Sequence, residues 1–455
     1  MKRQQVTLIN KIMTTRREFV QKAALGTAGI ALGAKSYSQV LGANDRVRVG
    51  IVGYSDRFRG SLHPSFMSLA KEMNFEFTAV SDIWRLRRED AARYYKKLGL
   101  NLRLARNNEE LYSVKDTDAV IISTADFQHA LHCKEAVEAG RDAYVEKPFA
   151  ESMADARAAR KAVETTGKII QIGSQRRSTP NYIAANEYIK SGKFGKIVIV
   201  EMTWNVNQPG RWRRPNVVPL LKAADTDWTR YQMNRPPADF DPRKYLEFRL
   251  FWPYSSGIPG QWMAHQIDTV HWFTDIAHPR TVAANGGIYQ WKDGRSNFDT
   301  MTAVLEYVDP KNPDNAFQVV YSSRFTNSSG GTKELYYSNG GMLNLDTNKV
   351  TSEGGLQERE AKAMGLKPNL LEPFELPGMR VETAADTGGD PMTTAHMKNW
   401  MQCVRDRKKP NADVVAGYNH SIACIMCTAA LRTGEKASFD EATQEVLAGG
   451  KVFQY

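Results

Sequence analysis

The chain has 455 residues, of which 42% are hydrophobic and 24% are charged, with a formal net charge of +11. This length suits two domains, and the composition is that of an ordinary globular protein rather than a disordered or fibrous one. Much of the positive charge lies in residues 1–43, and no basic block of the kind that tracks phosphates follows, so we expect no nucleic-acid partner.

The amino-terminal segment carries an export signature. Arg16 and Arg17 precede a weakly apolar run over residues 23–34 that is rich in glycine and alanine. This pattern is typical of a bacterial twin-arginine signal, whereas a membrane-spanning helix needs about 20 apolar residues. We expect residues 1–43 to be a leader that is removed from a periplasmic protein, and no membrane span later in the chain. The alternative is a disordered basic tail.

A nucleotide-binding unit is predicted directly after the leader. A strand over residues 46–52 runs into a glycine turn and a helix, and a second strand over residues 75–81 ends in an acid. Glycine lets the backbone approach a pyrophosphate, and the acid accepts hydrogen bonds from a ribose, which favours NAD over NADP. Twin-arginine export carries folded proteins, so we expect this cofactor to be tightly bound. The predicted contacts here are Gly53, Tyr54, Ser55 and Asp82.

The alternation of strands and helices continues to residue 172. Apolar strands over residues 119–123, 142–146 and 168–173 are separated by helical segments, which predicts an α/β fold with a doubly wound parallel sheet over residues 44–172. Polar residues follow each strand and would face one crevice. These candidates are Ser123, Thr124, Glu146, Lys147 and Gln175. A lysine there is easily tuned by burial, although a salt-bridged structural lysine or a fold that binds no dinucleotide are the alternatives.

Three motifs then resemble those of the Gfo/Idh/MocA oxidoreductases, named for glucose–fructose oxidoreductase and inositol dehydrogenase. They are VGIVG at residues 49–53, STADFQH at 123–129 and VEKP at 145–148. The resemblance implies an amino-terminal Rossmann domain and a carboxyl-terminal α/β domain with a large open, mostly antiparallel sheet. It also implies NAD(H) or NADP(H), His129 among the cofactor residues, and a sugar, cyclitol or glycoside substrate.

The second half, residues 173–455, is predicted to be a substrate and oligomerisation domain. Strand patterns over residues 195–204, 300–307, 317–325 and 333–337 alternate apolar and polar positions, as in a sheet with one covered face. Two helices follow near the carboxyl terminus, and the resemblance implies that helices from about residue 391 pack back on the Rossmann domain. One of them holds Cys424 and Cys427, which we interpret as core residues rather than redox or metal ligands.

An aromatic segment precedes the later strands. Five of the nine tryptophans lie between residues 204 and 262, with arginines close by. Such a rim suits sugar rings, but a large core or an oligomer interface would enrich the same residues. The candidate substrate residues are Arg176, Trp204, Arg211, Trp212 and Trp262.

A histidine-bearing helix is predicted over residues 257–272. It places His265, Asp268 and His271 along one side. The resemblance assigns the catalytic histidine to His265, facing Lys147 across the nicotinamide, with Asp268 as its helix partner; Gln261 stands where many relatives carry an aspartate. A zinc site on this helix would lack a fourth ligand, so we predict no metal.

The sequence therefore predicts an NAD(P)-dependent oxidoreductase acting on a secondary hydroxyl or ketone of a sugar, cyclitol or glycoside, with Lys147, His265 and Asp268 as its catalytic residues. We expect a homo-oligomer, a dimer or a tetramer, with a small carbohydrate as its partner. One alternative is an NAD-dependent glycosidase that uses transient oxidation at C3 and elimination. The other is a non-catalytic periplasmic sugar-binding protein.

Overall fold

The structure, a computed structural model, describes residues 45–378 and 390–455. The predicted leader over residues 1–43 lies outside the described residues. Val47–Tyr455 form one compact unit, which contains two separate sheets.

Six parallel strands form the first sheet in the order β3-β2-β1-β4-β5-β6. They are β1 Val47–Val52, β2 Phe75–Ser81, β3 Arg103–Ala105, β4 Ala119–Ile122, β5 Asp142–Val145 and β6 Ile170–Ile172. Every residue of β4 and β5 is buried, as expected where helices cover both faces of a parallel sheet. The strand order reverses between β1 and β4, as in dinucleotide-binding folds, so the prediction of a doubly wound parallel sheet is confirmed.

Helices follow the strands of this sheet. They are α1 His63–Met73, α2 Arg85–Lys97, α3 Asn108–Tyr112, α4 His129–Glu138 and α5 Met153–Thr166. Side-chain caps explain where some of them begin: the Ser152 hydroxyl accepts the backbone N–H of Asp155 at 3.2 Å, and α5 ends at Gly167 in the left-handed conformation.

The second sheet has eleven strands in the order β14-β13-β12-β11-β7-β10-β9-β8-β15-β16-β17. They are β7 Ile197–Asn205, β8 Thr281–Gly287, β9 Thr300–Asp309, β10 Asn312–Arg324, β11 Thr332–Ser338, β12 Gly341–Asn344, β13 Lys349–Thr351, β14 Phe374–Glu375, β15 Ala437–Asp440, β16 Glu445–Ala448 and β17 Lys451–Val452. Neighbouring strands pair antiparallel except β7 and β10, which are parallel. The prediction of a large, mostly antiparallel sheet is confirmed.

Helices of the second half lie between the sheets and around them. They are α6 Pro180–Lys190, α7 Trp228–Gln232, α8 Pro242–Leu246, α9 Ala264–Thr274, α10 Glu358–Ala363, α11 Pro391–Asp406 and α12 Val414–Thr433. Helix α9 contacts α6 and α12, and α12 also contacts β8. Because α9 lies between these elements, its side chains are held on several sides before any ligand binds.

The last two long helices complete the core of the first sheet. Trp400 on α11 is fully buried, and its ring lies 6.0 Å from the rings of both Phe75 and Tyr144. On α12, a Cβ added at Gly417 would lie 2.8 Å from Ile172 Cγ1, so the helix backbone approaches β6 closely. Residues far apart in the chain therefore share one hydrophobic core.

Helix α12 is long and apolar enough, by length and composition alone, to cross a membrane. Within the protein, 83% of its most apolar stretch is buried. Cys424 and Cys427 lie on this helix, and both are buried and unpaired by a disulfide. Burial raises the pKa of both thiols, which is the behaviour of small core residues.

Candidate active site between the two sheets

Two connected cavities lie at the carboxyl ends of the first sheet's strands. The first has a volume of about 510 Å³ and the second of about 710 Å³, both in the range of small-molecule sites. Both cavities are lined by Asp56, Arg57, Ser123, Thr124, Trp212, Arg214 and Arg249. A ligand could therefore extend from one cavity into the other.

The turn after β1 forms one wall of the first cavity. Gly53 has a φ of +85°, and a Cβ there would lie 2.7 Å from Thr124 Cγ2. Ser55 stands two residues later, where a second glycine is usual, and its hydroxyl accepts the backbone N–H of Phe58 at 3.1 Å. The serine thus satisfies one backbone N–H of the helical turn Phe58–Leu62 that follows, which gives this departure from the glycine pattern a local structural role.

We expect Gly53→Ala to weaken dinucleotide binding by at least about tenfold. A non-glycine residue at this φ costs about 1–3 kcal/mol, and the added methyl displaces the turn from Thr124. Calorimetric titration with NAD measures the effect. Gly378→Ala is the control because no described residue lies within 4 Å of its Cβ position. An unchanged Kd for the Gly53 variant would contradict this account of the turn.

Asp82 lies at the end of β2 and also lines the first cavity. Its carboxylate accepts the backbone N–H groups of Tyr54 and Trp84, each at 2.9 Å, and the Tyr245 hydroxyl at 3.3 Å. The Tyr54 ring, by contrast, packs in the core 5.8 Å from that of Phe58 and lines neither cavity. Of these two predicted cofactor residues, only Asp82 presents its side chain to the cavity.

Two residues that line the second cavity, Thr124 and His129, carry buried polar atoms without partners among the described residues. The described residues offer no hydrogen-bond partner to Thr124 Oγ1 or His129 Nε2. His129 Nδ1 lies 2.8 Å from the Pro148 carbonyl, and this contact makes Nδ1 the donor and leaves Nε2 as an acceptor. An unsatisfied buried polar atom costs about 1–3 kcal/mol, so the residues present fit a polar ligand such as a dinucleotide.

Glu146 and Lys147 follow β5 and line the second cavity. The Glu146 carboxylate is buried and accepts from Arg57 Nε at 2.9 Å. Lys147 Nζ donates to the Gln261 carbonyl at 2.5 Å, and the Lys147–Pro148 peptide is cis. Burial lowers the pKa of Lys147 to about 8, although the nearby carboxylates of Glu146 and Asp126 oppose that shift. This lysine can therefore exchange a proton near neutral pH.

One amide joins the charged groups around Lys147. Gln261 Oε1 accepts from Arg249 Nε at 2.9 Å, and Gln261 Nε2 donates to Asp126 Oδ2 at 2.6 Å. Behind Asp126, burial and the charge of Asp126 raise the pKa of Glu151 to about 8. The sequence reasoning did not identify Arg249, Asp126 or Glu151, because their roles depend on contacts between distant segments.

His265 lies on α9 and lines the second cavity together with Lys147. Its ring stacks on Trp204 with 5.8 Å between centroids. Burial, followed by the positive charges of Lys147 and Arg176, holds the pKa of His265 well below its ordinary value. The imidazole is therefore neutral at pH 7, with one ring nitrogen able to accept a hydrogen bond.

Asp268 lies outside both cavities. Its carboxylate forms two hydrogen bonds with Arg177, at 2.7 and 2.9 Å, and this cation outweighs burial to lower the pKa of Asp268. The predicted role of Asp268 as the partner of His265 thus has no contact to support it. His271 Nε2 lies 2.9 Å from the Tyr307 hydroxyl. Within the described parts of the chain, no group of three or more His, Cys, Asp or Glu residues could hold a metal ion.

All five predicted substrate residues line the second cavity: Arg176, Trp204, Arg211, Trp212 and Trp262. The rings of Trp204 and Trp262 stack at 5.6 Å, and the Arg211 guanidinium lies 5.4 Å from the Trp262 ring centre. Arg176 differs from the others because its guanidinium is paired with the buried carboxylate of Glu334 at 2.5 Å. Trp204, Arg211, Trp212 and Trp262 thus form part of the cavity wall, whereas the side chain of Arg176 belongs to a buried ion pair. Of the remaining predicted cofactor residues, Ser55, Ser123 and Gln175 line at least one cavity.

The groove opens where the strand order reverses between β1 and β4, which is where dinucleotide-binding α/β proteins hold their cofactor. Residues 47–174 match the family described as "Oxidoreductase family, NAD-binding Rossmann fold". This match covers the first sheet and its helices, so residues 47–174 resemble the NAD-binding domain of the Gfo/Idh/MocA oxidoreductases.

Curated relatives match part of the chain. The scyllo-inositol 2-dehydrogenase (NAD(+)) of Bacillus subtilis is 35% identical over 124 residues, which are 27% of this chain and 34% of that protein. The chain thus spans about a third of the length of that relative.

Solved structures resemble most of the chain in fold. The WlbA dehydrogenase of Bordetella pertussis, in complex with NADH and UDP-GlcNAcA, has a TM-score of 0.60 at 16% identity and covers 87% of this chain and 99% of its own. A levoglucosan dehydrogenase in complex with NADH and levoglucosan has a TM-score of 0.61 at 14% identity, covering 86% and 99%. At such identities the likeness concerns the fold.

Proposed function

We propose that this protein is an NAD(P)-dependent oxidoreductase that acts on a secondary hydroxyl or ketone of a sugar, cyclitol or glycoside, with NAD favoured over NADP. The observation that carries the proposal is the meeting of Lys147 and His265 in one cavity, which joins the cavity beside Gly53 and Asp82. The NAD-binding relatives named above, which include an inositol and a levoglucosan dehydrogenase, support the substrate class.

The nicotinamide cofactor would supply the acceptor or donor of a hydride. Oxidising a secondary alcohol also releases the hydroxyl proton, and neutral His265 is the base that accepts it, assisted by Lys147. In the reverse direction, protonated Lys147 donates to the ketone oxygen, because His265 is neutral at pH 7. The tryptophans of the cavity wall pack against the sugar ring and keep water away from the reacting carbon.

The test is a screen of sugars, cyclitols and glycosides against the purified protein, with reduced nicotinamide followed by its absorbance. Net reduction of NAD by a sugar or cyclitol supports the proposal. Cleavage of a glycoside without net reduction selects the glycosidase, which uses the same cofactor internally. Saturable sugar binding with neither reaction selects a non-catalytic binding protein. Nicotinamide absorbance released on denaturation would establish that the cofactor is tightly bound.

The rate of sugar oxidation should rise with pH and level off above about 8, because the Lys147 amine that assists His265 can take up the hydroxyl proton only when it is itself unprotonated. The Asp126 carboxylate raises the pKa of Lys147, so Asp126→Asn should lower that pKa and move the rise to lower pH. Asparagine keeps an oxygen for the Gln261 and Ser255 hydrogen bonds. The pH profile of kcat/KM measures both effects. A shift to higher pH would contradict the assigned charge interaction.

We also propose export to the periplasm by the twin-arginine route, with removal of the leader. The support is the Arg16-Arg17 pair ahead of the apolar run over residues 23–34. Replacing both arginines by lysine should leave the protein in the cytoplasm of a host with this export route. Cell fractionation with antibody detection measures the distribution.

We further propose that the protein is a homo-oligomer, a dimer or a tetramer, which assembles through the second sheet. Alternate residues of β9 are exposed on one face of that sheet, and Val304 among them is 37% exposed. A second copy packing there would cover this face. Light scattering after size-exclusion chromatography gives the mass, and a monomer at all concentrations would contradict this proposal.

A further inference from the structure

The second cavity is rich in positive charge. Among the described residues, six cationic side chains and three carboxylates line it. The cationic residues are Arg57, Lys147, Arg176, Arg211, Arg214 and Arg249. Arg57 pairs with Glu146, Arg176 with Glu334 and Arg214 with Asp56. Their charge is therefore balanced within the protein.

Arg249 is different. Its Nε donates to the neutral amide oxygen of Gln261, and no carboxylate in the described parts of the chain forms an ion pair with it. Asp126 lies on the far side of that amide and accepts from Gln261 instead. Burial and the neighbouring charges of Arg214 and Arg211 lower the pKa of Arg249, although Asp126 opposes them. An anion bound beside this guanidinium would offset both the burial of its charge and the repulsion from Arg214 and Arg211.

The position of Arg249 identifies the kind of anion. Gln261 accepts from Arg249 through its side chain and from Lys147 through its backbone carbonyl. Gln261 thus links the Arg249 guanidinium to the ammonium group of Lys147. The phosphates of a dinucleotide would instead lie against the turn at Gly53 and the helical turn after it. Arg249 lines both cavities and so lies where they join, and its link to Lys147 through Gln261 places an anion bound there beside the reacting group.

We propose that Arg249 binds the carboxylate of an acidic sugar, so that the substrate is a uronic or aldonic acid or a glycoside of one. The two free nitrogens of the guanidinium match the two oxygens of a carboxylate. The walls formed by Trp204 and Trp262 suit the ring of the same sugar. This inference rests on the proposed function and adds the substrate's charge to it.

The test compares matched ligands that differ in charge. Methyl glucuronide is paired with methyl glucoside, and methyl galacturonide with methyl galactoside. Calorimetry with the NAD-loaded protein measures binding, and nicotinamide absorbance measures turnover. In at least one pair the acid should bind at least about tenfold more tightly than its neutral partner, as expected of a charge-assisted hydrogen bond.

Variants of Arg249 then test whether this residue causes the preference for the acidic sugar. Arg249→Gln should remove it and leave the affinity for the neutral partner within about threefold, whereas Arg249→Lys should keep part of it because the charge remains. Arg280→Gln is the control, since Arg280 lies on the surface and pairs with Glu306. The Kd for NAD, measured on the same proteins, should stay unchanged in all variants.

Several results would overturn the inference. These are equal affinity within every pair, a preference that survives in Arg249→Gln, or a loss of NAD affinity in that variant, which would assign the guanidinium to the cofactor's phosphates. Failure of the proposed function looks different. An acid that binds through Arg249 without reducing NAD would support the anion site and contradict the oxidoreductase, whereas oxidation of neutral sugars alone would do the reverse.

Discussion

Lys147→Ala should lower the kcat of sugar oxidation by about 10²- to 10⁴-fold, the usual contribution of general acid–base assistance. The lysine lines the cavity that also holds His265, and burial lowers its pKa to about 8. Its loss removes the group that exchanges protons beside the reacting hydroxyl. Steady-state kinetics on the substrate found by screening measures the effect.

Binding and folding serve as controls for this variant. The Kd for NAD should change by less than about tenfold, because the turn at Gly53 is untouched. Lys190→Ala, which alters an exposed lysine paired with Asp275, should have wild-type kinetics. Lys147→Arg should remain slow, since a guanidinium does not lose its proton. Wild-type turnover by Lys147→Ala would remove the lysine from the mechanism.

Glu334→Ala should destabilise the fold by about 3–5 kcal/mol, because it leaves a buried guanidinium without its counter-ion. The side chains of Arg176 and Glu334 are 4% and 2% exposed, and their ion-pair distance is 2.5 Å. Glu334 also accepts from the hydroxyl groups of Tyr182 and Thr269, so those donors lose their acceptor as well. Urea unfolding followed by tryptophan fluorescence measures the loss.

Two comparisons isolate the buried charge as the cause. A double variant, Arg176→Met with Glu334→Leu, should recover most of the stability, since apolar residues of similar volume often replace a buried pair without cost. Glu306→Ala removes the partner of the exposed Arg280 and should cost at most about 1 kcal/mol. Equal losses for Glu334→Ala and the double variant would assign the effect to packing instead.

The first sheet could be predicted because its central strands are short apolar runs followed by polar residues. Strand β4, Ala119–Ile122, shows this pattern in every residue. Strand β3, Arg103–Ala105, has a single buried residue and no such pattern, and its place is set by pairing with β2. Strand β15 pairs with β8, more than 150 residues earlier in the chain, and no local pattern reports that pairing.

The site could be predicted where a residue's role follows from its position on one element. Lys147 after β5 and His265 on α9 are of this kind, and both line the second cavity. Asp268 was paired with His265 because the two are neighbours on a helix, but Arg177 from another segment binds its carboxylate. Arg249 could not be distinguished from other arginines, because its significance is that no carboxylate among the described residues forms an ion pair with it.

The burial of Trp400 against Phe75 and Tyr144 has a consequence for biosynthesis. A nascent chain that has emerged only as far as β6 would expose the apolar surface of the first sheet that α11 later covers. The nucleotide-binding half would then have to wait on the ribosome, or be shielded by a chaperone, until nearly the whole polypeptide is made. An expression fragment ending near residue 174 should, for the same reason, aggregate unless α11 is supplied with it.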